Sequence, residues 1–236
     1  MSETLIIIPT YNERENVALI VEAVFTEVDG VSILFVDDNS PDGTQQEIEK
    51  LMEKYPEQIF MLRRAGKLGL GTAYIAGFKW ALERSYAYIF EMDCDFSHNP
   101  KDILRLQKRC MNGADLAVGS RYCKGGKIEN WPFSRWLLSY FANVYVRLVL
   151  WLKIKDSTAG FKCYRREALA SIALEQINFK GYAFQICMKY AIVKKNLHVE
   201  EVPITFKDRL YGDSKMSSGI FKEALFGVWK MRNMRF

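Results

Sequence analysis

Between residues 4 and 119 the chain alternates short β-rich apolar runs with longer stretches of helical periodicity, the pattern of a parallel sheet wound with helices. The strand candidates are Leu5 to Ile8, Ser32 to Val36, Ile59 to Leu62, Tyr88 to Met92 and Ala114 to Val118. Between the first two, Asn12 is placed as a helix N-cap with Glu15 three positions on, and Val17, Ile20, Val21 and Val24 fall on one apolar face. Beyond residue 120 the pattern loosens into a long apolar helix over Trp136 to Leu152, a turn at Ser157 to Gly160, a helix near Ala183 to Lys194 and a strand near Val199 to Ile204. No Pro/Ser-rich linker parts these halves, so a single domain is expected over 1–236, with 1–119 and 120–236 as its two halves. The 236 residues, 49% of them hydrophobic, are enough to fill one core.

Charge and cysteine content narrow the partners. Thirty-three Lys and Arg against 28 Asp and Glu give a net +5, which suits phosphorylated ligands or an anionic membrane surface but is too dilute for nucleic acid. The five cysteines, at 94, 110, 123, 163 and 187, form an odd set without a CxxC pair, so neither a zinc site nor a disulfide framework is indicated and a reducing, cytoplasmic setting is expected. The apolar run Leu5 to Ile8 is too short for a signal peptide. The segment Trp136 to Leu152 is broken by Asn143 and Arg147 and falls short of the roughly 20 residues a spanning helix needs. Its Leu137, Leu138, Phe141, Val144, Leu148 and Trp151 recur at helical spacing beside basic residues, which fits either a helix lying in a membrane interface or a core helix. The stretch Ile220 to Phe236, with Leu225, Phe226 and Trp229 among Lys222, Lys230 and Arg232, supports the same two readings.

The strand candidates end in polar or glycine-rich loops: Thr10-Tyr11-Asn12, Asp37-Asp38-Asn39-Ser40, Asp93-Cys94-Asp95 and Gly119-Ser120-Arg121. In open parallel sheets ligands bind beyond the carboxyl ends of the strands, so these loops are expected to converge on one site. Asp93 and Asp95, one residue apart, can present carboxylates to a hard cation, although such pairs also form turns and Asn99-Pro100 just beyond is a helix start. Asp37-Asp38, followed by Ser40, Pro41, Asp42 and Gly43, serves either as turn chemistry before a helix from near Thr44 or, through Asp38, as an acceptor for a base or ribose. Gly66, Gly69 and Gly71 precede a helix whose N-terminus can receive an anion. No Gly-Lys-Ser/Thr follows them and they do not follow the first strand, which excludes a P-loop and a dinucleotide fingerprint.

Taken together, Pro9-Thr10-Tyr11-Asn12-Glu13, Val36 through Thr44, Met92 through His98 and Gly119-Ser120-Arg121-Tyr122 resemble the GT-A glycosyltransferases of family 2. Asn130-Trp131-Pro132, Arg135, Ser139, Asn143, Asp156 to Arg166, Gly181 to Gln185 and Asp208 to Lys215 resemble more narrowly the dolichol-phosphate (polyprenol-phosphate) mannose synthases, here as a catalytic domain without transmembrane helices. The resemblance implies a GT-A fold, an α/β architecture with a Rossmann-like, mostly parallel central sheet. It implies that Pro9, Tyr11, Glu13, Val36 and Asp38 contact the nucleoside, and that Asp93 and Asp95 hold Mg²⁺ or Mn²⁺ on the donor diphosphate. Ser97 stands at the third ligand position, where many relatives carry Gln. Arg121, Arg135 and Ser139 would face the acceptor phosphate and the sugar, and Arg209 and Lys215 would lie on a loop that closes over the phosphates. Cys187 stands where relatives commonly have a glutamate.

The implied reaction is an inverting transfer of mannose from GDP-mannose to dolichyl or polyprenyl phosphate, by an enzyme peripheral at the cytoplasmic face of a membrane. UDP-glucose or another nucleotide sugar is the alternative donor, and a sugar hydroxyl the alternative acceptor. The hydroxyl branch requires a carboxylate base, and the Gln-x-x-Arg-Trp motif of processive polymerases is missing. A phosphate monoester, with a second pKa near ~6, is already dianionic at neutral pH and needs no base, which agrees with a chain of two histidines. His98 is expected at a helix start and His198 at a strand edge, neither with a catalytic role. A non-catalytic nucleotide-sugar sensor is the reading from another class, and the intact Asp93, Asp95, Arg121 and Arg209 count against it.

Overall fold

Strands β1 (Thr4–Thr10) and β2 (Val31–Asp37) are near-continuous apolar runs because both faces are covered, as central strands of a parallel sheet must be. Side chains alternate between the faces. Leu5 and Ile7 join one core cluster, and Ile6 and Ile8 the other. The computed structural model describes residues 3–208, 218–234 and 236, and of residues 218–224 only the backbone. Along the chain follow α1 (Arg14–Glu27) between the first two strands, then α2 (Thr44–Lys54), β3 (Ile59–Arg63), α3 (Leu70–Leu82), β4 (Tyr88–Glu91), α4 (Ile103–Met111) and β5 (Leu116–Ser120). The later elements are β6 (Lys127–Ile128), α5 (Phe133–Leu150), β7 (Lys162–Arg165), α6 (Arg166–Ala170), α7 (Gly181–Lys194), β8 (Val199–Pro203), β9 (Thr205–Phe206) and α8 (Ser218–Arg232).

The main sheet has seven strands in the order β3-β2-β1-β4-β7-β5-β8, and β6 pairs with β9 in a small second sheet. Pairings among β3, β2, β1 and β4, and between β5 and β8, are parallel. Strand β7 runs antiparallel between β4 and β5. The expected strands are all present, each within two residues at either end, but β7 is an addition. Its sequence, Lys-Cys-Tyr-Arg, carries two cations and lacks strand-like alternation, yet Lys162 is wholly buried. Strands from beyond residue 120 therefore complete the sheet begun by the first half.

Helix α1 starts one residue later than the sequence pattern suggests. The Glu13 carbonyl accepts from the Asn16 and Val17 amides, so Glu13 is the N-cap, while Asn12 sits in the left-handed region at φ 56° and donates its N–H to Ser40 Oγ. Helix α3 approaches the sheet closely at Gly77, where a Cβ would stand 2.7 Å from Ile7 Cγ2. At Gly71 a Cβ would meet the Phe179 carbonyl oxygen at 2.4 Å and Phe184 at 2.8 Å. That glycine is thus spent on packing α3 against α7 rather than on cradling an anion.

Strand order reverses at β1, whose two neighbours are β2 and β4. The crevice outside the carboxyl ends of β1 and β4 is the topological switch point where such sheets bind ligands. The Thr10 to Glu13 and Asp93 to Asp95 loops flank it.

Candidate active site

At the β2 end the two neighbouring aspartates have separate tasks. Asp37 is fully buried and saturated: Thr10 Oγ1 and Ser40 Oγ donate to Oδ2 at 2.9 and 2.6 Å, and the Ser40 amide and Gln45 Nε2 to Oδ1 at 3.0 and 2.6 Å. It builds the turn. Asp42 continues that work, accepting from the Thr44 amide and hydroxyl, and those bonds outweigh burial to hold its carboxyl below the usual range. Asp38 instead lies 2.8 Å from Arg64 Nη1, without the alignment of a hydrogen bond. Burial pushes its carboxyl up while Arg64 pulls it back.

Around Asp38 the other expected nucleoside contacts gather unevenly. Lys67 Nζ stands 4.7 Å from the Tyr11 ring, so Tyr11 belongs to the loop cluster and not to the core. Glu13 accepts from Asn16 Nδ2 at 2.7 Å, and Pro9 is half-buried at the end of β1. Val36 departs from expectation. Its side chain points to the α3 face, fully buried, with Cγ2 3.4 Å from where a Gly77 Cβ would stand. Strand alternation therefore leaves Val36 only its main chain for a nucleoside.

The loop after β4 carries Asp93 and Asp95, both half-exposed. His98 closes this loop on itself, its Nδ1 accepting the Asp93 amide at 3.1 Å with Nε2 3.9 Å from Asp93 Oδ2. The ring stacks on Phe161 at 5.0 Å and meets Phe206 edge-on. Burial lowers the imidazole to about 4, so it is neutral at pH 7 and carries its proton on Nε2. His98 thus organises the acidic loop, a task its position at a helix start did not disclose. The Ser97 amide donates to Asp95 Oδ1 at 3.1 Å, and the buried Ser97 Oγ has no partner among the described residues. Both carboxylates act on the buried Tyr74 hydroxyl, whose oxygen is 3.4 Å from Asp93 Oδ1.

Among the described residues no group of three or more His, Cys, Asp or Glu side chains is arranged to hold a metal. Two hard carboxylates on one loop nonetheless fit Mg²⁺ or Mn²⁺ of the kind bound by one or two carboxylates together with substrate phosphates and water.

The third group centres on Arg121, at the end of β5. Asp156 Oδ2 accepts its amide and its Nε at 2.8 Å, Asp156 Oδ1 accepts Nη2 at 2.7 Å, and Thr158 Oγ1 accepts Nη2 at 2.7 Å. Both residues are buried. Burial opposes both charges, and the pairing overrides it, raising Arg121 and lowering Asp156. Tyr122, Trp131 and Phe206 surround the guanidinium at 5.4 to 5.6 Å.

Beside it Arg135, from α5, stacks on Trp131 at 4.1 Å and donates Nη1 to Asp208 Oδ2 at 3.0 Å. Arg121, Arg135, Ser139 and Thr158 share the lining of a cavity of about 480 Å³ with Leu138, Phe141, Val146, Ile186 and Leu225. Three of the expected acceptor residues are therefore brought together. The buried Trp131 Nε1 beside them has no partner among the described residues. Arg209 and Lys215 lie outside the described residues.

Sequence reasoning gave no role to Arg64, to Asp156, quoted only as the start of a motif, or to the buried pair Glu91–Lys162, whose charged atoms are 2.9 Å apart. Tyr164 and Gln185 also donate to the Glu91 carboxylate, at 2.8 and 2.9 Å. Cys187 is buried in the hydrophobic core, its thiol pushed up to about 12 by burial, and has no nucleophilic character there.

Residues 5–173 match the model of glycosyl transferase family 2. The chain belongs to that family. Within the family it is 48% identical over 231 residues to the polyprenol monophosphomannose synthase of Mycolicibacterium smegmatis, covering 97% of this chain and 87% of that one. It is 44% identical over 224 residues to the undecaprenyl-phosphate mannosyltransferase of Micrococcus luteus, covering 95% and 91%. The fold matches glucosyl-3-phosphoglycerate synthase from Mycobacterium tuberculosis, solved with Mn²⁺, UDP and glucosyl-3-phosphoglycerate, at a TM-score of 0.70 and 14% identity over 99% of this chain and 81% of that one. The family 2 chain is thus a glycosyltransferase of GT-A fold.

Proposed function

We propose that this family 2 enzyme transfers mannose from GDP-mannose to a polyprenyl phosphate, with inversion and with a divalent cation. The observation that carries the reading is the cavity in which two arginines and two hydroxyls share the lining with a run of aliphatic and aromatic side chains. A phosphate attached to an isoprenoid chain has that composition, and a sugar hydroxyl acceptor does not. The names of the two relatives above support the same substrates.

Each residue then has a task. Asp38, Tyr11, Glu13 and Pro9 hold the nucleoside in the donor half. Asp93 and Asp95, with Ser97 beside them, hold the cation, which when bound supplies charge stabilisation to the departing diphosphate. Arg121 and Arg135 bind the acceptor phosphate, the planar guanidinium matching its oxygens. Arg121 has spent Nε and Nη2 on Asp156 and Thr158, so its orientation is fixed before substrate arrives, and Nη1 is the edge left for the phosphate. The dianionic phosphate oxygen attacks the anomeric carbon directly, so no side chain has to take a proton, in keeping with a His98 engaged in shaping its loop. Arg209 and Lys215 are assigned to the diphosphate.

No helix among the described residues is long and apolar enough to cross a membrane. Exposed Phe133 and Leu148 on α5, Trp151 just after it, and Phe226 and Trp229 on α8 support attachment to a membrane surface, where the acceptor lipid resides.

The test is an assay of the purified chain with GDP-mannose or UDP-glucose, a short polyprenyl phosphate, and Mg²⁺ or Mn²⁺. The expected product is a polyprenyl-phospho-mannose of inverted anomeric configuration, read by NMR. Turnover with UDP-glucose alone would reassign the donor, and none with polyprenyl phosphate would remove the acceptor assignment.

A further inference from the structure

One buried cation lies between the two halves of the site without a carboxylate of its own. Lys189, on α7, is fully buried, and its Nζ donates to the carbonyl oxygens of Ser157 at 3.0 Å, Ala159 at 2.7 Å and Gln185 at 3.2 Å. An ammonium has three N–H donors, and here all three are matched. The neighbouring charges are already paired, Lys162 with Glu91 and Arg121 with Asp156, and burial pushes Lys189 well below the ordinary lysine range, so what holds its proton there is the set of three carbonyl oxygens. Burying such a group is costly and stabilises the fold less than a well-packed apolar side chain of similar volume. Its presence calls for a reason other than stability.

The turn that Lys189 grips supplies one. Asp156 and Thr158 aim Arg121, and at the other end Gly160 lies against the acidic loop, where a Cβ would be 3.4 Å from His98 Cε1 and 3.7 Å from Asp93 Oδ2. Asn143 holds the middle of the turn from the α5 side, its Oδ1 accepting from the Ser157 amide and hydroxyl at 2.7 Å. Lys189 holds it from the α7 side. Five residues thus connect the cavity arginine to the carboxylates expected to bind the cation, and they are clamped by an amide on one flank and an ammonium on the other.

We infer that Lys189 is a positioning residue that fixes the 156–160 turn and so sets the placement of Arg121 relative to the Asp93-Cys94-Asp95 loop. Because this rests on reading the cavity as the acceptor site, the test has an arm that does not depend on it. Lys189→Met keeps the side-chain bulk without donors or charge, and Lys189→Arg keeps both. Wild type is assayed alongside, and saturation by polyprenyl phosphate there establishes the acceptor reading by itself. In Lys189→Met, kcat falls and the acceptor KM rises, together up to about a hundredfold as for a misplacement of roughly 1 Å. Binding of the nucleoside diphosphate stays within about twofold, and Lys189→Arg recovers part of the loss. Unchanged acceptor kinetics in a folded Lys189→Met overturns the inference. Loss of fold or of nucleotide binding in both variants overturns it too, since Lys189 would then serve stability alone. Independently of substrate, a crystal structure of Lys189→Met in which Arg121 and the turn keep their places overturns it as well.

Discussion

Arg121 and Asp156 form a buried two-pronged ion pair, Nε to Oδ2 at 2.8 Å and Nη2 to Oδ1 at 2.7 Å, with the Arg121 amide donating to the same carboxylate. Removing one partner leaves the other charge in the interior without compensation. Asp156→Ala is therefore expected to destabilise the fold by about 3–5 kcal/mol in urea denaturation, and the double variant with Arg121→Ala to lose less than the sum of the singles. The Asp156 carboxyl is held below the ordinary value of 3.8, Arg121 prevailing over burial. Its contribution is thus complete above pH 3.8 and is lost as pH falls through the lower folded value. Comparison of wild type with Asp156→Asn across that range reads the sign directly.

His98 gives a second and separate pH dependence. Its folded imidazole titrates at about 4 against an ordinary 6.5, with burial the main cause. Between those values the unfolded chain takes up a proton that the folded chain refuses, so stability declines as pH drops from about 6.5 to about 4, by up to ~1.4 kcal/mol per unit. In metal-free buffer His98→Gln should flatten that slope. An equally steep decline in the variant would assign it to other groups.

Asp95→Ala should lower turnover at least about a hundredfold, because the cation proposed to bind there, and its several kcal/mol of charge stabilisation, would no longer be held. The melting temperature in metal-free buffer should stay within a few degrees, since the carboxylate is half-exposed and its bond to the Ser97 amide is local. Chelation should stop the wild-type enzyme, and added Mg²⁺ or Mn²⁺ restart it. Full activity in excess chelator would detach Asp93 and Asp95 from any metal role.

Gly71→Ala places a methyl group 2.4 Å from the Phe179 carbonyl oxygen and 2.8 Å from Phe184. Neither neighbour is the free end of a flexible chain, so α3 and α7 must part. The expected cost is about 1–3 kcal/mol in denaturant midpoint analysis. A neutral substitution would mean that the α3–α7 contact yields easily.

Legibility in the sequence followed the local signals. Strands β1, β2, β4 and β5 were readable because strands covered on both faces are apolar nearly throughout, and the edge strand β3 because Ile59 to Leu62 is an apolar run. The loops were readable because Asp37-Asp38 and Asp93-Cys94-Asp95 stand at strand ends. Strand β7 was not, because its burial of Lys162 is made tolerable by distant partners, Glu91, 71 positions earlier in the chain, and the Gln185 side-chain oxygen. Asp156 stood inside the family motif that runs to Arg166, but its role was hidden for the same reason, being defined by Arg121, 35 positions earlier, and not by spacing. Conversely, Val36 entered the nucleoside set through the family motif it opens, and strand alternation turns its side chain away. Long-range charge pairing and side-chain direction were the two quantities that a one-dimensional pattern did not carry.

Trp151 is 80% exposed and Phe226 72% exposed, an expensive presentation of aromatic surface to water unless something apolar receives it. Helices α5 and α8 are joined where Tyr145 Oη donates to the Leu225 carbonyl at 2.8 Å, and Leu225 also lines the cavity, so the helix that carries Phe226 reaches the proposed acceptor site. Arg232 lies 5.5 Å from the Trp151 ring, which places a cation beside it, as suits an anionic headgroup layer. Each such side chain, fully buried, contributes about 1.5–3 kcal/mol. Trp151→Ser and Phe226→Ser should each weaken flotation with anionic vesicles roughly tenfold or more, while turnover of a short polyprenyl phosphate dispersed in detergent stays close to wild type, because neither residue lines the cavity. If both variants float like wild type, the aromatics serve some other contact, and the lipid must reach Arg121 and Arg135 without the helices resting on the bilayer.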